Sequence, residues 1–89
     1  MREENEYFIE VIGYNEETNE EVQYFVDGCS DDWLTTDYDR ADIYTTYGDA
    51  EGIVNVYTGF FIQELEAEDL TLKECRIYKR SIQLVEVIK

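Results

Sequence analysis

Residues 49–65, DAEGIVNVYTGFFIQEL, carry the one strong helical signal in the chain, and the neighbouring segments are placed by it. Ala50, Ile53, Val54, Tyr57, Phe61 and Leu65 follow the i, i+3, i+4, i+7 spacing that gathers apolar side chains on one helix face. Asp49 and Glu51 stand at its start, where the helix dipole favours negative charge. Thr46-Tyr47-Gly48-Asp49 offers a cap for the first turn. Gly52 and Gly59 lie seven apart, near one stripe, and each lowers helix propensity by about 1 kcal/mol relative to alanine. Either they admit a closely packed strand or they weaken the helix.

The segments on both sides read as strands. In residues 6–12, EYFIEVI, alternation puts Tyr7, Ile9 and Val11 on one face and Phe8, Glu10 and Ile12 on the other. Residues 13–20, GYNEETNE, are turn material. Residues 21–27, EVQYFVD, form a second strand with Val22, Tyr24 and Val26 inward, completing an antiparallel hairpin. A loop follows over residues 28–32, then a short strand over residues 33–36. Thr36-Asp37-Tyr38-Asp39 has capping-box spacing and starts one or two helical turns through Arg40 and Asp42. Residues 43–45 are a brief extended piece, and residues 66–72, EAEDLTL, an acidic turn. Residues 73–89 alternate, with Cys75, Ile77 and Lys79 opposite Arg76, Tyr78 and Arg80; beyond Ser81, Ile82, Leu84, Glu86 and Ile88 alternate with Gln83, Val85 and Val87. They make one long bulged strand, two strands sharing a kink, or a hairpin at residues 79–81. That tripeptide lacks the Asn-Gly type of turn signal, which favours the first two. The expectation is an α+β fold: a small antiparallel sheet with one amphipathic helix packed on it, in a single domain over residues 1–89. The face away from the helix carries Phe8, Ile12, Phe25 and Tyr78 and is expected to be partly exposed.

Eight tyrosines, four phenylalanines, one tryptophan and no proline argue for a folded chain despite a net charge of −15. Cys29 and Cys75 are the two cysteines, too few for a disulfide scaffold, and a reduced chain is expected. Cys75 reads as a small buried hydrophobe and Cys29 as a loop residue. MREENE at the start has no apolar signal-peptide core, and no apolar run is long enough to span a membrane. Location in the cytoplasm of a bacterial host is the matching expectation.

The absence of histidine removes Ser–His–Asp and Cys–His catalysis. Two cysteines alone cannot build a Cys/His zinc site. Asp37, Asp39 and Asp42 do not fit a calcium loop, because position five is Ala41, position six Asp42 and position twelve Gly48. No phosphate-binding glycine loop is present. The expectation is a non-enzyme with no cofactor and no metal.

Charge is the remaining signal. Residues 1–72 hold twenty acids against Arg2 and Arg40, whereas residues 73–89 hold Lys73, Arg76, Lys79, Arg80 and Lys89 against Glu74 and Glu86. Such one-signed charge lowers stability by self-repulsion and fits a basic partner. It opposes direct nucleic-acid binding, which needs cations at each phosphate. Lys73, Lys79 and Arg80 are expected to pair with the domain's own carboxylates. Glu16, Glu17, Glu20 and Glu21 crowd the hairpin tip. The central candidates for partner binding are Asp31, Asp32, Asp37, Tyr38, Asp39, Asp42, Tyr47, Asp49 and Glu51, with Trp33 and Tyr44 interleaved; aromatics among charges make interface anchors. Carboxylates held on a fixed surface present a field like that of duplex DNA, one charge per about 1.7 Å of axis.

In size, charge, tyrosine content and strand–helix plan the chain resembles the small acidic inhibitors encoded by phages and mobile elements. These include anti-CRISPR and anti-restriction proteins and inhibitors of DNA-repair glycosylases. The resemblance implies stoichiometric inhibition of a basic host enzyme, such as a CRISPR effector nuclease, by occupying its DNA groove. The alternatives are a non-enzymatic assembly module that homodimerises through its sheet, and acidity serving solubility alone.

Overall fold

A computed structural model of the protein describes residues 2–84, without the side chains of residues 2, 3, 83 and 84. Strands β1 (Arg2–Asn15), β2 (Glu20–Val26), β3 (Leu34–Thr35) and β4 (Thr71–Leu84) form one antiparallel sheet in the order β3-β2-β1-β4, and helix α1 (Tyr47–Ala67) connects the β3 side to β4. The expected α+β architecture is the observed one.

The two faces follow from alternation. Ile9 and Val11 of β1, Val26 of β2, Leu34, Leu70 and the helix residues Ala50, Phe61 and Leu65 make the buried core. Tyr7, Val22, Tyr24, Ile53, Val54, Tyr57, Leu72, Cys75 and Ile77 pack around it. Phe8, Glu10, Ile12 and Phe25 point to the face away from the helix.

The strand β1 runs three residues further than its sequence suggests, through Gly13 to Asn15. A register shift against β4 explains Gly13: Ile12 faces Glu74 but Gly13 faces Leu72, leaving Lys73 as the bulged extra residue. The bulge brings Leu72 onto the core side with Cys75, three positions away, where strict alternation would oppose them. A Cβ on Gly13 would lie 3.0 Å from Leu65 and 3.1 Å from Leu70, so its absence lets both leucines close on the strand. The hairpin turns in four residues. Asn15 Oδ1 accepts the amides of Glu17 and Thr18, and Asn19 adopts the left-handed conformation (φ 60°) that asparagine tolerates.

The strand β4 is continuous through residues 79–81, with Lys79 facing Tyr7, Arg80 facing Glu6 and Ser81 facing Asn5. No hairpin or kink interrupts it there; the irregularity is at Lys73. The expected alternation of residues 85–88 lies outside the described residues.

Thr46 caps α1, its hydroxyl accepting the Asp49 amide at 3.1 Å. At the other end the Leu70 amide reaches Leu65 O (2.9 Å) and the Asp69 amide reaches Glu66 O (3.0 Å), with Asp69 left-handed (φ 59°). This is a Schellman closure, and its apolar contact is Leu65 with Leu70. Gly52 and Gly59 face open space, with nothing within 4 Å of where a Cβ would stand. They weaken the helix and admit no strand.

Candidate functional site

The candidate residues lie on the connection from β2 to α1 and in the first residues of α1, where Tyr47, Asp49 and Glu51 stand. The connection begins at Asp27, whose backbone amide bonds Trp33 O (3.0 Å) and closes a tight loop. Asp32 organises that loop: its Oδ1 accepts the Ser30 hydroxyl at 2.6 Å and the Leu34 amide at 3.2 Å. The Ser30 hydroxyl, and then the Leu34 amide, hold the Asp32 carboxyl below the usual carboxylate range. Trp33 takes a left-handed φ of 63°, at a cost of roughly 1–3 kcal/mol for so bulky a residue. Its ring stacks on Tyr57 with centroids 4.6 Å apart. Trp33 therefore belongs to the packed core periphery and is not a free anchor.

From Thr35 the chain crosses to the face away from the helix. A single 3-10 turn, Tyr38–Arg40, replaces the one or two helical turns expected there. Its cap is Asp37 rather than Thr36, through Asp39 N–H to Asp37 Oδ1 at 3.0 Å. The turn lays the Tyr38 ring edge-on against Phe8 (5.2 Å) and Phe25 (5.4 Å). Phe8 and Phe25 are consequently buried, Ile12 on the same face is buried as well, and Tyr38 and Tyr78 remain 42% and 37% exposed. The far face is thus partly exposed, as expected, through Tyr78, while Tyr38 covers Phe8 and Phe25 from within.

The connection then passes beside the part of β1 that lies beyond its pairing with β2. Asp42 Oδ2 accepts the Gly28 amide (2.8 Å), and Tyr7 and Tyr44 exchange backbone hydrogen bonds of 2.8 Å each way. Tyr47 opens α1 with its ring edge-on to Tyr7, 6.3 Å away, and is 52% exposed. Asp49 follows in the first turn and Glu51 just after it, both exposed.

The structure therefore sorts the candidates. Asp32, Asp37 and Asp42 use carboxylate oxygens to hold backbone amides. Asp31, Asp39, Asp49 and Glu51 are exposed, and within the described residues no hydrogen bond or ion pair engages their carboxylates. Tyr38 and Tyr47 are exposed rings on opposite sides of the sheet, so the nine residues form a band along the chain that spans both sides and not a single plane. Sequence reasoning missed Ile43, 44% exposed between Asp42 and Tyr44. Its only signal was an aliphatic residue inside an acidic run.

Ion pairing divides the acids along the same line. Among the described residues Arg40 pairs with Asp27 (3.4 Å), Lys73 with Glu21, Arg76 with Glu10 and Glu74, and Arg80 with Glu6 (2.5 Å). The expected intramolecular pairing is observed for Lys73 and Arg80, whereas Lys79 makes no ion pair among the described residues. None of these partners belongs to the candidate band. Among the described residues no three carboxylates or thiols converge as metal ligands, and both cysteines are free. No helix among them is long and apolar enough to cross a membrane.

On the far face Glu10 is the second thing that alternation alone did not disclose. It is 3% exposed. Gln23 Nε2 donates to its Oε2, the Tyr78 hydroxyl lies 3.3 Å from Oε1, and Arg76 Nη1 lies 3.6 Å away. No known protein family, characterised protein or solved structure matches this chain.

Proposed function

We propose that the protein is an inhibitor that binds the basic nucleic-acid groove of a host DNA-binding enzyme, such as a CRISPR effector nuclease, by mimicking the charge of DNA. The supporting observation is the band of seven carboxylates from Asp31 to Glu51. Among the described residues no cation pairs with it, while Arg40, Lys73, Arg76 and Arg80 neutralise other acids. Exposed Tyr38, Ile43 and Tyr47 supply apolar anchors within the same band. Carboxylates carried on a folded connection and a helix start steer a cationic groove at long range, and the loop bonds of Asp32, Asp37 and Asp42 limit the conformational freedom lost on contact. A homodimer through the sheet is the weaker reading, since Phe8 and Phe25 are already covered and a second copy doubles the negative charge.

The test is capture of partners from bacterial lysate on the immobilised protein at low and high salt, with duplex DNA as competitor. The expected partners are basic nucleic-acid-binding proteins that elute with salt and are displaced by DNA. The quadruple variant Asp31→Asn, Asp39→Asn, Asp49→Asn, Glu51→Gln is expected to fold and to lose most of the captured protein. Asp32, Asp37 and Asp42 are left intact because they hold the loop. Capture of neutral or acidic proteins only, or full capture by the quadruple variant, overturns the reading.

A further inference from the structure

The face away from the helix holds a depression of about 420 Å³ walled by Phe8, Phe25, Tyr38 and Tyr78, with Glu10 at its base and Thr36 at its rim. Phe8 and Tyr78 stack (5.4 Å, 19° between planes), and Tyr38 stands edge-on to both phenylalanines. Burying a carboxylate among aromatic rings costs free energy unless it is paired and hydrogen-bonded. An apolar residue at position 10 would fill the same space between Phe8 and Ile12 with no such cost. Glu10 has partners, but its cation is shared: Arg76 also bonds Glu74. Around this cluster Glu6, Glu10 and Glu74 face Arg76 and Arg80, which leaves one uncompensated negative charge.

We infer that this depression is a subsite for one arginine side chain of the basic partner, an assignment that rests on the inhibitor reading above. Aromatic faces attract a cation through their quadrupole, and a carboxylate beneath them adds charge and hydrogen-bond acceptors. The flat guanidinium suits stacking and forked bonding, whereas the lysine ammonium is more strongly hydrated. The protein already uses this chemistry on the Tyr38 ring itself, outside the depression, where Arg80 Cζ lies 5.7 Å from the ring centre and Nη1 donates to the Tyr38 hydroxyl at 2.7 Å. The subsite sits beside the acidic band, because Asp37 and Asp39 flank Tyr38 in the chain. A partner arginine entering it would fix the register of a contact that long-range charge alone leaves loose.

The test is an aromatic NMR titration of the full chain with acetyl-arginine amide, and with acetyl-lysine amide as comparison. Saturable shifts are expected at Phe8, Phe25, Tyr38 and Tyr78, with arginine bound about threefold to tenfold more tightly than lysine. Glu10→Gln, which keeps the side-chain shape, is expected to weaken arginine binding by a similar factor. Thr36→Trp, at an exposed rim position outside the core, is expected to block it without disturbing the fold. Shifts that never saturate, shifts confined to other rings, or titrations unchanged in both variants sink the subsite. In that event lysate capture can still succeed and the inhibitor reading survives. Ring shifts without a captured basic partner keep the subsite and remove the inhibitor reading.

Discussion

Individual acids in this protein do different work although they look alike in sequence. Asp32, Asp37 and Asp42 accept backbone amides, Asp27 and Glu10 are buried, and Asp31 and Asp39 face water. A cap by Asp37 is a local bond two residues long, and spacing alone places it one residue early. The partner of Asp42 is Gly28, fourteen residues away, which no local pattern reveals. Gly13 makes a sharp prediction at this scale. Gly13→Ala forces a methyl against Leu65 and Leu70 and is expected to cost about 1–3 kcal/mol, read as a lower urea midpoint with unchanged slope. Tyr44 makes another. Burial, with Asp42 and Tyr57 adding to it, pushes its phenol up to about 12. Burial raises Tyr24 as well, helped by Glu68 and Asp32. A raised folded value means the native state keeps a proton that the unfolded chain loses near pH ~10. The associated stability is whole below that pH and declines as pH climbs toward about 12. Phenolate absorbance is expected to show a late-titrating fraction in the native protein that vanishes in urea; eight tyrosines titrating together would contradict it.

The helix and the hairpin are legible as elements because their signals are periodic and local. The long strand β4 is legible as a strand, but the sequence points to an irregularity near Ser81 and the bulge lies at Lys73. Bulges answer to the neighbouring strand, here to Gly13, and carry little signature of their own. The helix also carries an element-scale liability. Its last turn has no basic residue, with Glu66, Glu68 and Asp69 at the negative end of the dipole. Gly52 and Gly59 loosen its exposed face without gaining a contact. Gly52→Ala and Gly59→Ala are each expected to stabilise the protein by about 0.5–1 kcal/mol, measured as a higher Tm. A loss of stability in both would mean that the outer face is packed against something.

At the scale of the whole molecule charge repulsion sets the response to salt. The fold measures 57 × 25 × 21 Å, so its cross-section is narrower than the screening length of ~30 Å at 0.01 M salt. Unpaired acids then repel one another across the entire width. The exposed ion pairs contribute little individually because solvent screens them, and the stability they lose to salt is small in comparison. A Tm that rises steadily with sodium chloride is expected; a falling Tm would show that attractive pairs dominate. The sequence by itself determined the α+β plan, the partition of apolar residues between two sheet faces and the one-sided charge, because periodicity and composition are summed along the chain. Only the tertiary structure decided which carboxylates meet a cation, that Tyr38 folds over Phe8 and Phe25, and that Glu10 lies buried between them. Those outcomes depend on pairs such as Arg80 with Glu6, 74 residues apart, whose meeting is set by strand register and by nothing in either neighbourhood.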